Sequence, residues 1–163
     1  MIDYEGNCVD VEGCMSCAFS KHKFSIPAGI AYEDDLFVLA QDWALPIQGF
    51  FVISPKRHVK CLSELSDFER NKMFEIINRA IVILKENNVC NCYSVIFEEK
   101  DKPNHHLHVW IMPRHKWMLD LVGNIVDNIG EVCDYAKENF RTKENFDKIK
   151  EATQILKSNL QKA

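Results

Sequence analysis

Apolar and polar positions along the chain fall into segments of two different periods. Residues 29–33 and 36–40 are short apolar runs separated by Asp34-Asp35, a pattern that predicts a hairpin. Residues 49–54, Gly-Phe-Phe-Val-Ile-Ser, read as a buried strand stopped by Pro55. The period then lengthens. Ser66-Asp67-Phe68-Glu69 has the form of a capping box, and Met73, Ile76, Ile77, Ala80 and Leu84 follow at helical spacing until Asn87-Asn88. Residues 93–98 predict another strand, 99–104 a polar turn, and 106–112 a strand of strict alternation. Two helical stripes close the chain. One runs through Val122, Ile125, Val126, Ile129, Val132, Cys133 and Ala136. The other runs through Phe146, Ile149, Thr153, Leu156 and Leu160. Residues 1–24 show little periodicity and read as a loop or knuckle. The fold class expected is α+β, with residues 1–117 as the main domain and 118–163 as a helical extension packed on it or on a partner subunit.

Composition narrows the class. A chain of 163 residues with a 47% hydrophobic fraction suits one domain with an appended segment. A net charge of -4 and the lack of a basic stripe argue against binding a nucleic-acid polymer. One small anion remains possible, since it needs only a few local donors. No apolar run approaches the roughly 18 residues of a membrane span, so no membrane partner is expected. The N-terminus is polar and acidic, unlike a secretion signal, and the seven cysteines are an odd number. These features suggest the reducing cytoplasm, with cysteines that are buried, metal-bound or reactive.

The chemistry concentrates in His105-His106-Leu107-His108-Val109-Trp110-Ile111. On a strand, His106, His108 and Trp110 share one face, while Leu107, Val109 and Ile111 point into a core. His105 is expected at the strand entrance, on the Leu107 side and within reach of water. A neutral imidazole on a rigid strand can attack an electrophile or bind a metal; it can equally be a half-exposed sheet residue. Cys14 and Cys17 have the spacing of a zinc knuckle, and also that of a redox pair or of two buried thiols. A redox pair usually opens a helix, and none is predicted there.

The run from His106 through Arg114 resembles the signature strand of the histidine triad (HIT) superfamily, His-φ-His-φ-His-φ-φ followed by Pro-Arg, where φ is apolar. Pro46-Ile47-Gln48-Gly49-Phe50, continued to Pro55 and His58, resembles the family's segment before the main helix. Cys14-Met15-Ser16-Cys17 resembles the opening of its zinc-containing members. Pro113-Arg114 sets the register, with His106 first, His108 in the middle and Trp110 in the third place. The shifted register Asn104, His106, His108 leaves Pro113-Arg114 misplaced.

The resemblance implies an antiparallel five-stranded sheet with a main helix, commonly dimeric. It also implies a nucleotide or dinucleotide substrate cleaved at the α-phosphate through a nucleotidyl-His108 intermediate, in a hydrolase or nucleotidyltransferase reaction. His106 and Trp110 complete the catalytic set. A structural zinc would be held by Cys14, Cys17, His58 and His106. Asp42 stands where the family binds ribose, or is a loop residue that ends the strand. Asn104 and Phe50 are further nucleotide contacts, and Leu36, Phe37 and Trp43 could flank a base or equally be ordinary core, which is favoured for Leu36. The chain departs from the pattern at Trp110, which has no titratable group, at Phe50, where many members carry histidine, and in the missing Gly/Gln-rich phosphate loop. Lys100, Lys102, Asn104 or His105 could supply substitute donors for an anion, and can equally form a solvated turn. Two other readings stay open: a nucleotide-binding module without turnover, and an interaction protein built on the zinc knuckle and the C-terminal helices.

Overall fold

A computed structural model describes residues 1–102 and 104–161. The strands are β1 (Ile30–Glu33), β2 (Phe37–Gln41), β3 (Phe51–Pro55), β4 (Tyr93–Glu98) and β5 (His108–Pro113). They form one antiparallel sheet in the order β1-β2-β3-β5-β4. The helices are α1 (Met15–Ser20), α2 (Asp67–Glu86), α3 (Lys116–Val122), α4 (Ile129–Asn139) and α5 (Lys143–Leu160).

Period-two alternation assigns each strand residue to one of two layers. Phe37, Leu39, Phe51, Ile53, Leu107, Val109 and Ile111 face α2 and α5, and pack with Met73, Ile76, Leu84, Ala152 and Leu156 into the larger core. α5 lies across β1 and α2 of its own chain. The opposite face carries Phe50, Trp110 and Met112. There α3, α4 and the segment between them cover one end with Met118, Ile125, Val132 and Ala136. The rest of that face is an open cavity.

Local signals explain most boundaries. Ser66 caps α2, its hydroxyl accepting from the Glu69 N–H, while the Glu69 carboxylate returns to the Ser66 N–H at 2.8 Å. Arg57 grips the same carboxylate at 2.7 and 2.8 Å, which ties the segment after β3 to the helix. Gly49 turns into β3 with φ +79, and a Cβ there would lie 2.8 Å from Val89 Cγ1.

Two expectations need correction. The stripe from Val122 to Ala136 is not one helix. Gly123, at φ +67, ends α3, and Ile125 and Val126 lie in the connection before α4. Residues 1–24 are not wholly loop, because Cys14 caps α1, its sulfur accepting from the Cys17 N–H at 3.5 Å. Periodicity is silent over six residues, so only the cap could have revealed this helix.

Candidate nucleotide and zinc sites

Three separate segments converge on the cysteine knuckle. α1 brings Cys14 and Cys17, the segment after β3 brings His58, and the residue pair before β5 brings His106. Their four ligand atoms lie within 4.8 Å of one another. The Cys14 sulfur is 3.3 Å from His106 Nδ1, and the Cys17 sulfur is 3.3 Å from His58 Nδ1 and 3.4 Å from His106 Nδ1. A tetrahedral zinc with ordinary Zn–S and Zn–N bonds spaces such atoms about 3.6 Å apart, so only shifts of a few tenths of an ångström at these three contacts separate them from a filled site. His106 Nε2–H donates to the Pro55 carbonyl at 2.9 Å, which leaves Nδ1 as the lone pair aimed at the cluster. Burial holds the His106 pKa down to about 4, so the ring is a neutral ligand at ordinary pH. Burial and the neighbouring Cys14 push the Cys17 thiol up to about 11, a cost that a divalent cation removes. All four positions are protein ligands, which describes a closed, structural zinc site. A short helix does begin at this Cys-x-x-Cys, as redox pairs require, yet the two imidazoles converging on it are ligands that a redox pair does not need.

The cavity on the same face has a volume of about 500 Å³. Phe19, Phe24 and Ile26 wall it from the N-terminal segment, Val38, Ala40, Trp43 and Val52 from β2 and its surroundings, and His108 and Trp110 from β5. The His108 Nδ1–H donates to the His106 carbonyl at 2.9 Å, leaving Nε2 as the nitrogen that meets the cavity. Glu98 stands opposite His108 in the β4–β5 register. Its Oε2 lies 3.2 Å from His108 Nε2 and 2.8 Å from Lys100 Nζ.

Asp42 lines the cavity, with Oδ1 accepting the N–H groups of Ala44 and Leu45 at 2.9 Å each. Burial raises its pKa, opposed by those two donors. Lys100, Lys102, Asn104 and His105 also reach the cavity. His105 is not on the Leu107 side in water. It is buried, and its Nε2–H donates to the Glu98 carbonyl at 3.0 Å. The alternation fails there because residues 105–107 precede the regular strand.

Phe50 does not reach the cavity wall. It is fully buried beneath Trp110, edge-on with ring centroids 5.4 Å apart. Phe37 and Leu36 belong to the larger core and its margin, so of the three suggested base-flanking residues only Trp43 faces the cavity. Glu98 escaped the sequence reading, although its place at the end of β4 opposite the histidine strand was a usable signal. The N-terminal wall residues carried no periodic signal at all.

A family model described as HIT domain matches residues 23–117. No match was found among curated protein sequences. A Zn-bound histidine triad family protein from Mycobacterium smegmatis superposes with a TM-score of 0.61 at 17% identity, covering 89% of this chain and 96% of the other. A hypothetical histidine triad nucleotide-binding protein from Sulfolobus tokodaii gives 0.63 at 17% identity, with 91% and 94% covered. Plasmodium falciparum diadenosine triphosphate hydrolase, solved with cyclomarin A, gives 0.55 at 12% identity, with 81% and 76% covered. At these identities the likeness is one of fold.

Proposed function

The chain belongs to the HIT domain family, and from that premise we propose that it binds a nucleotide and cleaves a nucleoside phosphoanhydride or phosphoramidate at the α-phosphate, as a hydrolase or nucleotidyltransferase. The observation that carries this reading is the fixed tautomer of His108, whose Nδ1–H is committed to a backbone carbonyl while Nε2 faces a cavity of nucleotide size. Trp43, Phe19 and Phe24 offer apolar walls for a base, and the free Asp42 oxygen suits ribose hydroxyls.

In the first step the Nε2 lone pair bonds to the α-phosphorus as the bond to the leaving group breaks. The leaving group departs with that electron pair and takes a proton from water, because Trp110 has none to give. In the second step water attacks phosphorus, loses a proton to solvent, and expels Nε2 with the nucleoside monophosphate as product. With another nucleophile in place of water, the same intermediate gives transfer. His106 holds His108 through its carbonyl, and the zinc bound by Cys14, Cys17, His58 and His106 fixes that segment against α1.

We assign the cytoplasm as compartment on the seven free thiols. We place a homodimer contact on the outer edge of β4, next to the exposed Val95 and to the exposed Phe74 of α2, whose ring meets Phe97 of β4. Among the described residues, no helix is long and apolar enough to cross a membrane.

The test is turnover of adenosine 5'-phosphoramidate and diadenosine tetraphosphate by zinc-loaded protein, with His108→Ala in parallel. Turnover lost in the variant supports the reading. Binding of nucleotide without turnover by the wild type replaces it with a binding module. Turnover that survives His108→Ala removes His108 from the chemistry.

A further inference from the structure

The Glu98 carboxylate is placed where an approaching phosphate needs to be. One oxygen bridges His108 Nε2 at 3.2 Å and Lys100 Nζ at 2.8 Å, inside the cavity and directly across the β4–β5 pair. Since His108 Nδ1 is held by the His106 carbonyl, Nε2 is the ring's only free nitrogen, and Glu98 covers it. Lys100, the cationic side chain of this cluster, is drawn onto the same oxygen. A phosphate that approached His108 would need the space over Nε2 that Glu98 fills, and its oxygens would seek the Lys100 ammonium for the same electrostatic reason. Two anions cannot share that space and one ammonium at contact distance, because they repel each other.

We propose that Glu98 is an internal competitor for the substrate's phosphate, and that Lys100 is the cation both compete for. This inference rests on the nucleotide reading of the cavity. Binding then proceeds by exchange. The phosphate enters, Glu98 rotates off Nε2, and Lys100 passes from the carboxylate to a phosphate oxygen. The carboxylate and ammonium side chains are 27% and 46% exposed, so neither is locked by packing against such a movement. Charge separates the nucleotide from the nucleoside. The phosphate must displace Glu98, whereas the base and ribose occupy walls that Glu98 does not touch. An empty site is thereby kept with its nucleophile shielded, and only a ligand carrying an anion at the α-position uncovers it.

The experiment is calorimetric titration of zinc-loaded wild type, Glu98→Gln and Lys100→Gln with AMP and with adenosine. Zinc content and melting temperature verify that each variant is folded. Glu98→Gln should bind AMP about tenfold more tightly, the effect of removing one screened charge contact, and bind adenosine as the wild type does. Lys100→Gln should bind AMP several-fold more weakly, again with adenosine unchanged. If adenosine and AMP bind but Glu98→Gln leaves AMP affinity equal or lower, the competitor role is overturned while the nucleotide reading stands. If Glu98→Gln tightens both ligands alike, Glu98 acts on cavity shape and the proposal also fails. If neither ligand binds any of the three proteins, the nucleotide reading and this inference fall together.

Discussion

Replacing Cys17 by serine removes one of four ligands and opens the link between the N-terminal segment and the sheet. The structure sets the scale of the loss. Cys17 and His58 are 41 residues apart, and Cys14 and His106 are 92 apart, so one ion closes two long loops. A single cross-link over spans of this size is worth roughly 4 kcal/mol in the chain-entropy estimate. Zinc retained by thiols of the unfolded chain offsets part of this. Loss of one loop closure, about 4 kcal/mol, lowers the melting temperature of a chain this long by about 8–16 °C. The assay is thermal unfolding by circular dichroism for wild type, Cys17→Ser and Cys8→Ser, each with and without chelator, alongside metal analysis. Cys8 is exposed and outside the cluster, so its variant should match the wild type and lose the same increment on chelation. Cys17→Ser should start low and respond little to chelator. The sign of the pH effect follows from the thiol. With its pKa near 11, Cys17 holds a proton at neutral pH that zinc must displace, so zinc affinity rises with pH across the neutral range. A chelator shift below about 3 °C in the wild type, or zinc affinity independent of pH, would refute the structural-zinc argument.

Other perturbations have equally direct consequences. Arg57, with help from the Ser66 N–H and hydroxyl, lowers the Glu69 pKa to about 2, so its stabilisation is complete above pH 4.5 and is lost as pH falls from there toward 2. After screening at the half-exposed Arg57, this amounts to about 2 kcal/mol. Glu69→Gln should lose that much at pH 7 by denaturant unfolding and flatten the acid limb. Gly49→Ala should cost about 2–3 kcal/mol in the same assay, combining a positive φ with the clash against Val89; equal stability would show that the turn has a second conformation. Trp110→Ala should cost about 3 kcal/mol by uncovering Phe50, and a loss under 1 kcal/mol would mean the pair is not a packing unit.

Strands, main helix and the Cys14–Cys17 pair were legible because each leaves a periodic or spaced signal, whereas His58 and His106 were named as ligands from the family resemblance alone. The Ser66–Glu69 box was visible as four residues and forms as read. Alternation placed Leu107, Val109 and Ile111 in the core facing α2. The errors occur where backbone regularity stops. His105 lies before the ladder begins, so period two had no authority over it. The break at Gly123 is a matter of one positive φ, which an apolar stripe does not record. The cavity walls from Phe19, Phe24 and Ile26 were invisible for a different reason. They are brought to the sheet by the same knuckle that binds zinc, and a tertiary link of that kind has no local period.

The two aromatic departures are one event in the structure. Read singly, Trp110 in the third triad place and Phe50 in a place often held by histidine are two losses of polar chemistry. In space they touch edge to face, with Phe50 fully buried and Trp110 half-buried between cavity and core. Both belong to the apolar layer shared with Met118, Ile125, Val132 and Ala136. Either residue replaced alone by a polar group leaves its partner against an uncompensated desolvated atom, so the pair supports itself. That layer anchors α3 and α4, and α4 in turn presents Cys133 toward Asp42, whose charge adds to burial in raising the thiol pKa to about 11. Trp110 is therefore part of the wall that holds the C-terminal helices over one end of the site. If His108 is the nucleophile, as proposed, the charged groups beside it are the carboxylate of Glu98 and the ammonium of Lys100, and charge control at that nitrogen rests with them.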